Sequence, residues 1–186
     1  VTVSQNASGD ISIGNGTKTT VTTLQAGNNG TSNQNINLAN GSTISTLEAK
    51  SGGAITLNGN GEVSTLDLTG NSTENITIAN GASVKNFTTN ANGNDNITVA
   101  SGGKLDVTDA GKNLNFSGGT SKLEVQSGGD ISTITTITMG SGSGSVTLKE
   151  SCTKSLRNAE VRISKAVNPR SSIRNPSNGY ESRNCR

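Results

Sequence analysis

Residues 75–105 read NITIANGASVKNFTTNANGNDNITVASGGKL, and the two halves of this stretch are versions of one another. Ile76-Thr-Ile78 is followed, after the five residues ANGAS, by Val84; Ile97-Thr-Val99 is followed, after the five residues ASGGK, by Leu105. Alternation of apolar with polar residues is the period of a strand with one buried face. Asn-Gly and Gly-Gly between the apolar runs are turn signals, because Gly and Asn tolerate positive φ. Each half therefore predicts a strand, a tight turn, a second strand and a looser polar connection.

Working outward, the same pattern occurs at Ile36-Asn-Leu38 with Ile44 and at Ile55-Thr-Leu57 with Val63. The four copies thus begin at Ile36, Ile55, Ile76 and Ile97, at a nearly constant step. Asn35, Asn75 and Asn96 precede the first apolar residue of three copies, and Leu47, Leu66 and Phe87 follow the third apolar residue at +3. Weaker copies flank the set: Ile11-Ser-Ile13 with Val21 and Leu24, Leu114-Asn-Phe116 with Leu123 and Val125, and Val146-Thr-Leu148.

One such unit buries too little apolar surface to stand alone. Units stacked in register hydrogen-bond to their neighbours and bury a continuous inner column. The spacing predicts an all-β fold, a right-handed parallel β-helix (a solenoid of about 20-residue coils) over residues 1–148. Roughly seven coils make a rod on the order of 30 Å long at ordinary strand spacing. The expected inner columns are Ile36, Ile55, Ile76, Ile97 and Leu38, Leu57, Ile78, Val99, with Thr56, Thr77 and Thr98 facing out as a hydroxyl ladder. A β-sandwich needs no fixed spacing of this kind. Disorder does not place Ile and Val so regularly. No 3.6-residue period precedes residue 148. Gly128-Gly129-Asp130 is an isolated fragment of the calcium-binding nonapeptide pattern and reads as a turn.

Composition agrees. Asn, Thr, Ser and Gly make up 99 of the 186 residues, while apolar residues are 28% and aromatics 2%. With no His there is no His-based triad, metal site or general base, and two Cys with one Met are too few for a thiolate zinc or iron–sulfur site. Carboxylate, hydroxyl or Lys chemistry remains open, as does no chemistry at all. No apolar run is long enough for a transmembrane helix. The start at Val1 rather than Met reads as a processed product or an excised fragment.

The net charge of +2 hides a seam: residues 1–148 carry six Lys and ten acids, whereas residues 149–186 carry three Lys, six Arg and three Glu. The tail, 149–186, also holds both Cys, both Pro and the one Tyr. A weak helical pattern spans Thr153–Val167, with Leu156, Ala159, Ile163 and Val167 on one face and Pro169 ending it. The tail reads as a basic arm, as a cap on the last coil, or as sequence out of frame. A Cys152–Cys185 bridge would belong to an oxidising compartment.

The units ITIANGASVKNFTTNANGND (76–95) and ITVASGGKLDVTDAG (97–111) resemble passenger domains of bacterial autotransporters and related secreted β-helical adhesins. The resemblance covers residues 1–148. It implies a rod displayed at the bacterial surface or secreted, attached to the outer membrane only through a translocator barrel that this sequence lacks. The partners it implies are a host surface or extracellular matrix component, or like chains, with no specific nucleic acid. It carries over no catalytic, cofactor or metal residue.

The alternative is a carbohydrate-active β-helix enzyme, a polysaccharide lyase or hydrolase, which needs acids converging on one outer face. Asp67, Asp106 and Asp109 are the candidates, read otherwise as solvated charges that keep the rod soluble and its edges guarded. The Thr56/Thr77/Thr98 column also matches loosely the flat ladders of ice-binding β-helices. Asn-x-Ser/Thr sequons at Asn6, Asn15, Asn29, Asn40, Asn71, Asn75, Asn86, Asn96 and Asn115 are expected by chance in such a chain.

Overall fold

A computed structural model describes residues 9–26, 33–49, 54–70, 73–89, 94–106, 113–116, 120–139, 144–148 and 162–165. Among them all regular structure is β, with no helix. Strands are numbered in chain order. The first sheet stacks β1 (Gly9–Ile13), β3 (Asn33–Leu38), β5 (Ala54–Gly59), β7 (Asn75–Ile78), β9 (Asn96–Val99), β12 (Lys122–Val125) and β14 (Ser145–Leu148). The second stacks β2 (Thr20–Ala26), β4 (Thr43–Ala49), β6 (Glu62–Leu68), β8 (Ser83–Thr89) and β10 (Lys104–Leu105). The third holds β11 (Asn113–Asn115), β13 (Thr136–Met139) and β15 (Arg162–Lys165). Every ladder is parallel. From β1 to β10 the chain alternates between the first two sheets, so each turn adds one strand to each. This is a parallel β-helix.

The columns follow from period two. In β7 and β9 the residues alternate half-buried and buried, so Ile76 and Ile78 stack under Ile97 and Val99 while Thr77 and Thr98 face out. Leu123 and Val125 continue the stack above, and Ile55 and Leu57 below. In the second sheet Ile44, Val63, Val84 and Leu105 form one buried column. Within β4 and β6 two successive residues, Ser45-Thr46 and Ser64-Thr65, escape full burial before Leu47 and Leu66 turn inward again. That break in the period bends each strand around a corner. It creates a further inner column of Leu24, Leu47, Leu66 and Phe87. Thr89 Oγ1 donates to the Asn115 carbonyl and the Phe87 and Phe116 ring centroids lie 5.2 Å apart, so the third sheet takes over where β8 ends.

The corners after β3, β7, β9 and β12 are tight turns. The amide of Ala82 donates to the Ala79 carbonyl, Gly103 to Ala100 and Gly129 to Gln126. Gly102 and Gly128, with φ of 74° and 83°, supply the positive φ, and at the equivalent level Asn80 and Gly81 are both positive. The Gly128-Gly129-Asp130 fragment is thus one of these stacked turns.

Three expectations are corrected. Ile36 does not stack on Ile55: it pairs with Leu57, Leu38 with Gly59, and Gln34 with Ile55. The reason lies in the corner. A Cβ on Gly59 would strike the Leu38 carbonyl, and one on Gly61 would strike the Leu38 side chain, so two glycines leave the room that Leu38 fills. At this level the first sheet therefore takes a longer step along the chain than the second, where Ile44 pairs with Val63. Second, Leu114 and Phe116 do not open a coil with Leu123 and Val125; they close the previous one, in or beside the third sheet. Third, part of the helix expected over Thr153–Val167 is strand: residues 162–165 pair in parallel with β13, Ile163 beside Ile137. Strand pairing with an existing edge satisfies backbone groups that a short amphipathic helix would have to satisfy alone. The remainder of that segment and both Cys lie outside the described residues.

Candidate functional site

The outer face of the first sheet is the most regular surface of the molecule. Asp10, Asn35, Thr56, Thr77, Thr98, Glu124 and Thr147 occupy one row in direct register. Beside it run Asn33, Ala54, Asn75, Asn96, Lys122 and Ser145. The expected Thr ladder is therefore present at 56, 77 and 98. Side-chain amides tie neighbouring coils at this surface. Asn96 Nδ2 donates to Asn75 Oδ1 at 2.8 Å, Asn80 Nδ2 to Asn58 Oδ1 at 2.9 Å, and Asn35 Nδ2 to Asp10 Oδ1 at 2.9 Å. An amide can do this because it carries both a donor and an acceptor, so a stack of like residues satisfies itself. Asn75 and Asn96, two of the sequons, are committed to such a bond.

Two small hollows lie among the described residues. A depression of about 240 Å³ lies against the corners at Asn40, Asn60, Gly61 and Ser83, and one of about 230 Å³ beside Ser12, Asn15 and Ala39. Sites for drug-sized ligands run from about 300 Å³ upward and are lined mainly by apolar groups. Both hollows are smaller; the first is lined by Asn, Gly, Ser and Thr with Glu62, and the second adds Ile13, Leu38 and Ala39.

Of the candidate acids, Asp106 is engaged by cations. Lys85 Nζ donates to Asp106 Oδ2 at 2.8 Å and stands 3.6 Å from Glu62 Oε2, and Lys104 Nζ stands 3.5 Å from Asp106 Oδ2. The Lys85 hydrogen bond holds the Asp106 carboxyl below the usual carboxylate range, against the opposing effect of burial. The same bond raises Lys85 above the usual lysine range. Asp67 accepts from the Thr69 amide at 2.9 Å, and its coil is two below that of Asp106. Two strand spacings alone separate the two acids by roughly 10 Å along the axis. Asp109 lies outside the described residues. The structure does not bring Asp67 and Asp106 together, and among the described residues no group of three or more Cys, Asp or Glu is placed to hold a metal ion.

The acids that do meet are Glu74 and Asp95. They occupy the inward position immediately before the paired Asn75 and Asn96, and they are 1% and 0% exposed. The Asn96 amide donates to the Glu74 carbonyl, the Lys122 amide to the Asp95 carbonyl, and the Asp95 amide to the hydroxyl of Ser121, itself fully buried on the next coil. Burial, and then the adjacent Glu74 carboxyl, push the Asp95 carboxyl up to about 8. The sequence carries a signal for this pair: Glu74 and Asp95 each stand two positions before the first Ile of their unit, Ile76 and Ile97. Reading in steps of two from those Ile residues puts both acids on the buried face, whereas a general expectation of solvated acids does not.

The fold is that of a β-solenoid with a periodic hydroxyl and amide side. No protein-family model matches the chain, and comparisons with curated proteins and with solved structures found no match.

Proposed function

We propose that this chain is the rod of a secreted or surface-displayed adhesin of the bacterial autotransporter passenger kind, working by lateral contact through the outer face of its first sheet. The observation that carries the reading is the register of Thr56, Thr77 and Thr98 beside Asn75 and Asn96. Such a face offers the same polar groups at every coil, about 4.8 Å apart. Each contact is weak, and many made at once on one rigid support sum by multivalency. The small size of those two hollows and the pairing of Asp106 with Lys85 and Lys104 favour this surface over a cleft as the working part.

The test compares the native chain with Thr77→Lys, which places a charge at the centre of the face while leaving the buried columns untouched. Binding to surfaces coated with extracellular matrix protein, and to surfaces coated with the chain itself, is expected to fall about tenfold or more, with circular dichroism unchanged. Equal binding by the two forms removes the reading. Cleavage of an acidic polysaccharide by the native chain, lost in Asp106→Ala, replaces it with a carbohydrate-active enzyme.

A further inference from the structure

The inner face of the described coils is mostly hydrocarbon, with a few buried polar side chains such as Gln34 and Ser42, and at one level it holds two acids. Where the chain enters β7 and β9, two carboxyl groups stack on successive coils with neither in contact with solvent. The surroundings of Asp95 supply little to solvate a charge. No protein donor reaches Asp95 Oδ1 or Oδ2. The neighbour on the next coil is Ser121, which is neutral, and Lys122 one position further on is exposed on the outer face. Asn75 and Asn96, beside the pair, are neutral and bonded to one another. The acids of the second sheet, Glu48, Glu62, Asp67 and Asp106, alternate with buried residues and point outward. Among the described residues the one ionisable group acting on Asp95 is Glu74.

Two ionised carboxylates have no hydrogen to place between them. A bond between the two groups exists only when one of them holds a proton. Two bare charges stacked one strand spacing apart in an apolar column repel one another, and each bears the cost of desolvation. Oxygen-loving cations do not fit well here as the resident group: calcium takes six to eight oxygen ligands, and this level offers two carboxyls and one hydroxyl.

We propose that Glu74 and Asp95 form a proton-closed seam in the rod: one proton shared by the two carboxyls clamps the fourth coil to the fifth, and its loss loosens the solenoid at that level. The device makes the rod tighter in acid than at neutral or mildly alkaline pH. Burial and the neighbouring acid raise the Asp95 carboxyl from about 4 in an unfolded chain to about 8. An acid raised in the folded state holds a proton that the unfolded chain releases. The stabilisation is therefore complete below about pH 4 and declines as pH rises, until it is lost near the folded value of about 8.

The experiment follows thermal unfolding of the full chain by circular dichroism from pH 4.5 to 8.5, in the native form and in Asp95→Asn and Glu74→Gln. An amide supplies its own hydrogens to the remaining carboxylate, so neither variant needs a shared proton to form the bond. The native chain is expected to lose several degrees in melting temperature across this range relative to either variant. Amide hydrogen exchange around Asn75–Ile78 and Asn96–Val99 should quicken with pH beyond its rate in Asp95→Asn. A native profile parallel to both variants overturns the proposal, as does a native melting temperature that rises with pH relative to them. Calcium chloride restoring the native chain at pH 8.5, with no effect on Asp95→Asn, also overturns it, by giving the pair to a cation. Should one variant fail to fold, the other and the exchange measurement carry the same comparison.

Discussion

The run from β5 to β10 and the run from β11 to β15 use the same residues and obey different geometry. In the first, both sheets take one and the same step from coil to coil, from Ile55 to Ile76 to Ile97 and from Val63 to Val84 to Leu105. Like therefore lies on like, as Thr56, Thr77 and Thr98 do. In the second, Val99 pairs with Val125 and Val125 with Leu148, steps that are longer and unequal. Among the described residues the second sheet ends at β10, apart from an isolated bridge of Lys104 to Asp130, and a third sheet opens. Equal coil length lets one hydrophobic pattern write the register. When the length changes, the inner residues still find the core, as Ile131, Ile134 and Ile137 do, but the strand to which each belongs is settled by the corners.

The sharpest way to break the contrast is a charge in each run. Ile76→Asp in the regular run puts an unpaired carboxylate among buried residues and is expected to cost about 4 kcal/mol or more. Val146→Asp, on a half-buried position of β14, should cost less than half as much. Melting temperatures of the two variants measure the difference; equal losses would deny that the regular run is the more tightly built.

Corners come next. A Cβ on Gly103 would meet the Ile78 carbonyl and one on Gly129 the Val99 carbonyl, and both obstacles are backbone. Gly103→Ala and Gly129→Ala are each expected to destabilise by about 2 kcal/mol, read by urea unfolding. If Gly129→Ala is silent while Gly103→Ala is not, the later corners have slack that the regular ones lack.

A smaller effect attends the join between the runs. Ser121 immediately precedes β12 and accepts the buried Asp95 amide at 3.0 Å. Ser121→Ala leaves that amide without its acceptor and should cost about 1–2 kcal/mol, with faster hydrogen exchange at Asp95 as the local readout.

The smallest concerns the surface of the regular run. Asp106→Asn removes a partly exposed ion pair with Lys85 and is expected to cost about 0.5–1 kcal/mol near neutrality. The sign with pH is opposite to that of the buried pair. A depressed acid stabilises above its unfolded value and loses the effect as pH falls through the depressed range. Native chain and variant should therefore converge in strong acid, while Asp95→Asn and native chain diverge most at pH 8. Melting curves at three pH values separate the two.

The fold is legible because the chain repeats one pattern. The outward Thr ladder and the columns through Ile55, Ile76, Ile97 and Leu57, Ile78, Val99 follow from period two. The recurrence of apolar residues at 44, 63, 84 and 105 and at 47, 66 and 87 follows from the fixed spacing, whereas the bend that turns Leu47, Leu66 and Phe87 inward breaks the period. At Ile36 the alignment of like with like fails, because the corner glycines at 59 and 61 let Leu38 slide past by one pleat repeat. Such a shift keeps every side chain on its own face, so the hydrophobic pattern is blind to it. Leu114 and Phe116 fall in an unexpected sheet for a related reason: a short apolar alternation states that a strand is half-buried and says nothing of which ladder receives it. Residues 162–165 lie in a stretch with no repeat to read, and their place beside β13 depends on an open edge supplied by residues far away in sequence.

The sequence by itself determined the architecture, the inner columns of the regular coils and the polar outer face, because each depends on a periodicity that neighbouring residues express. The tertiary structure decided the register at Leu38, the hand-over from second to third sheet, and the meeting of Glu74 with Asp95. Those depend on distances between coils, and a carboxyl group becomes unusual only when stacking removes its water and sets a second one beside it.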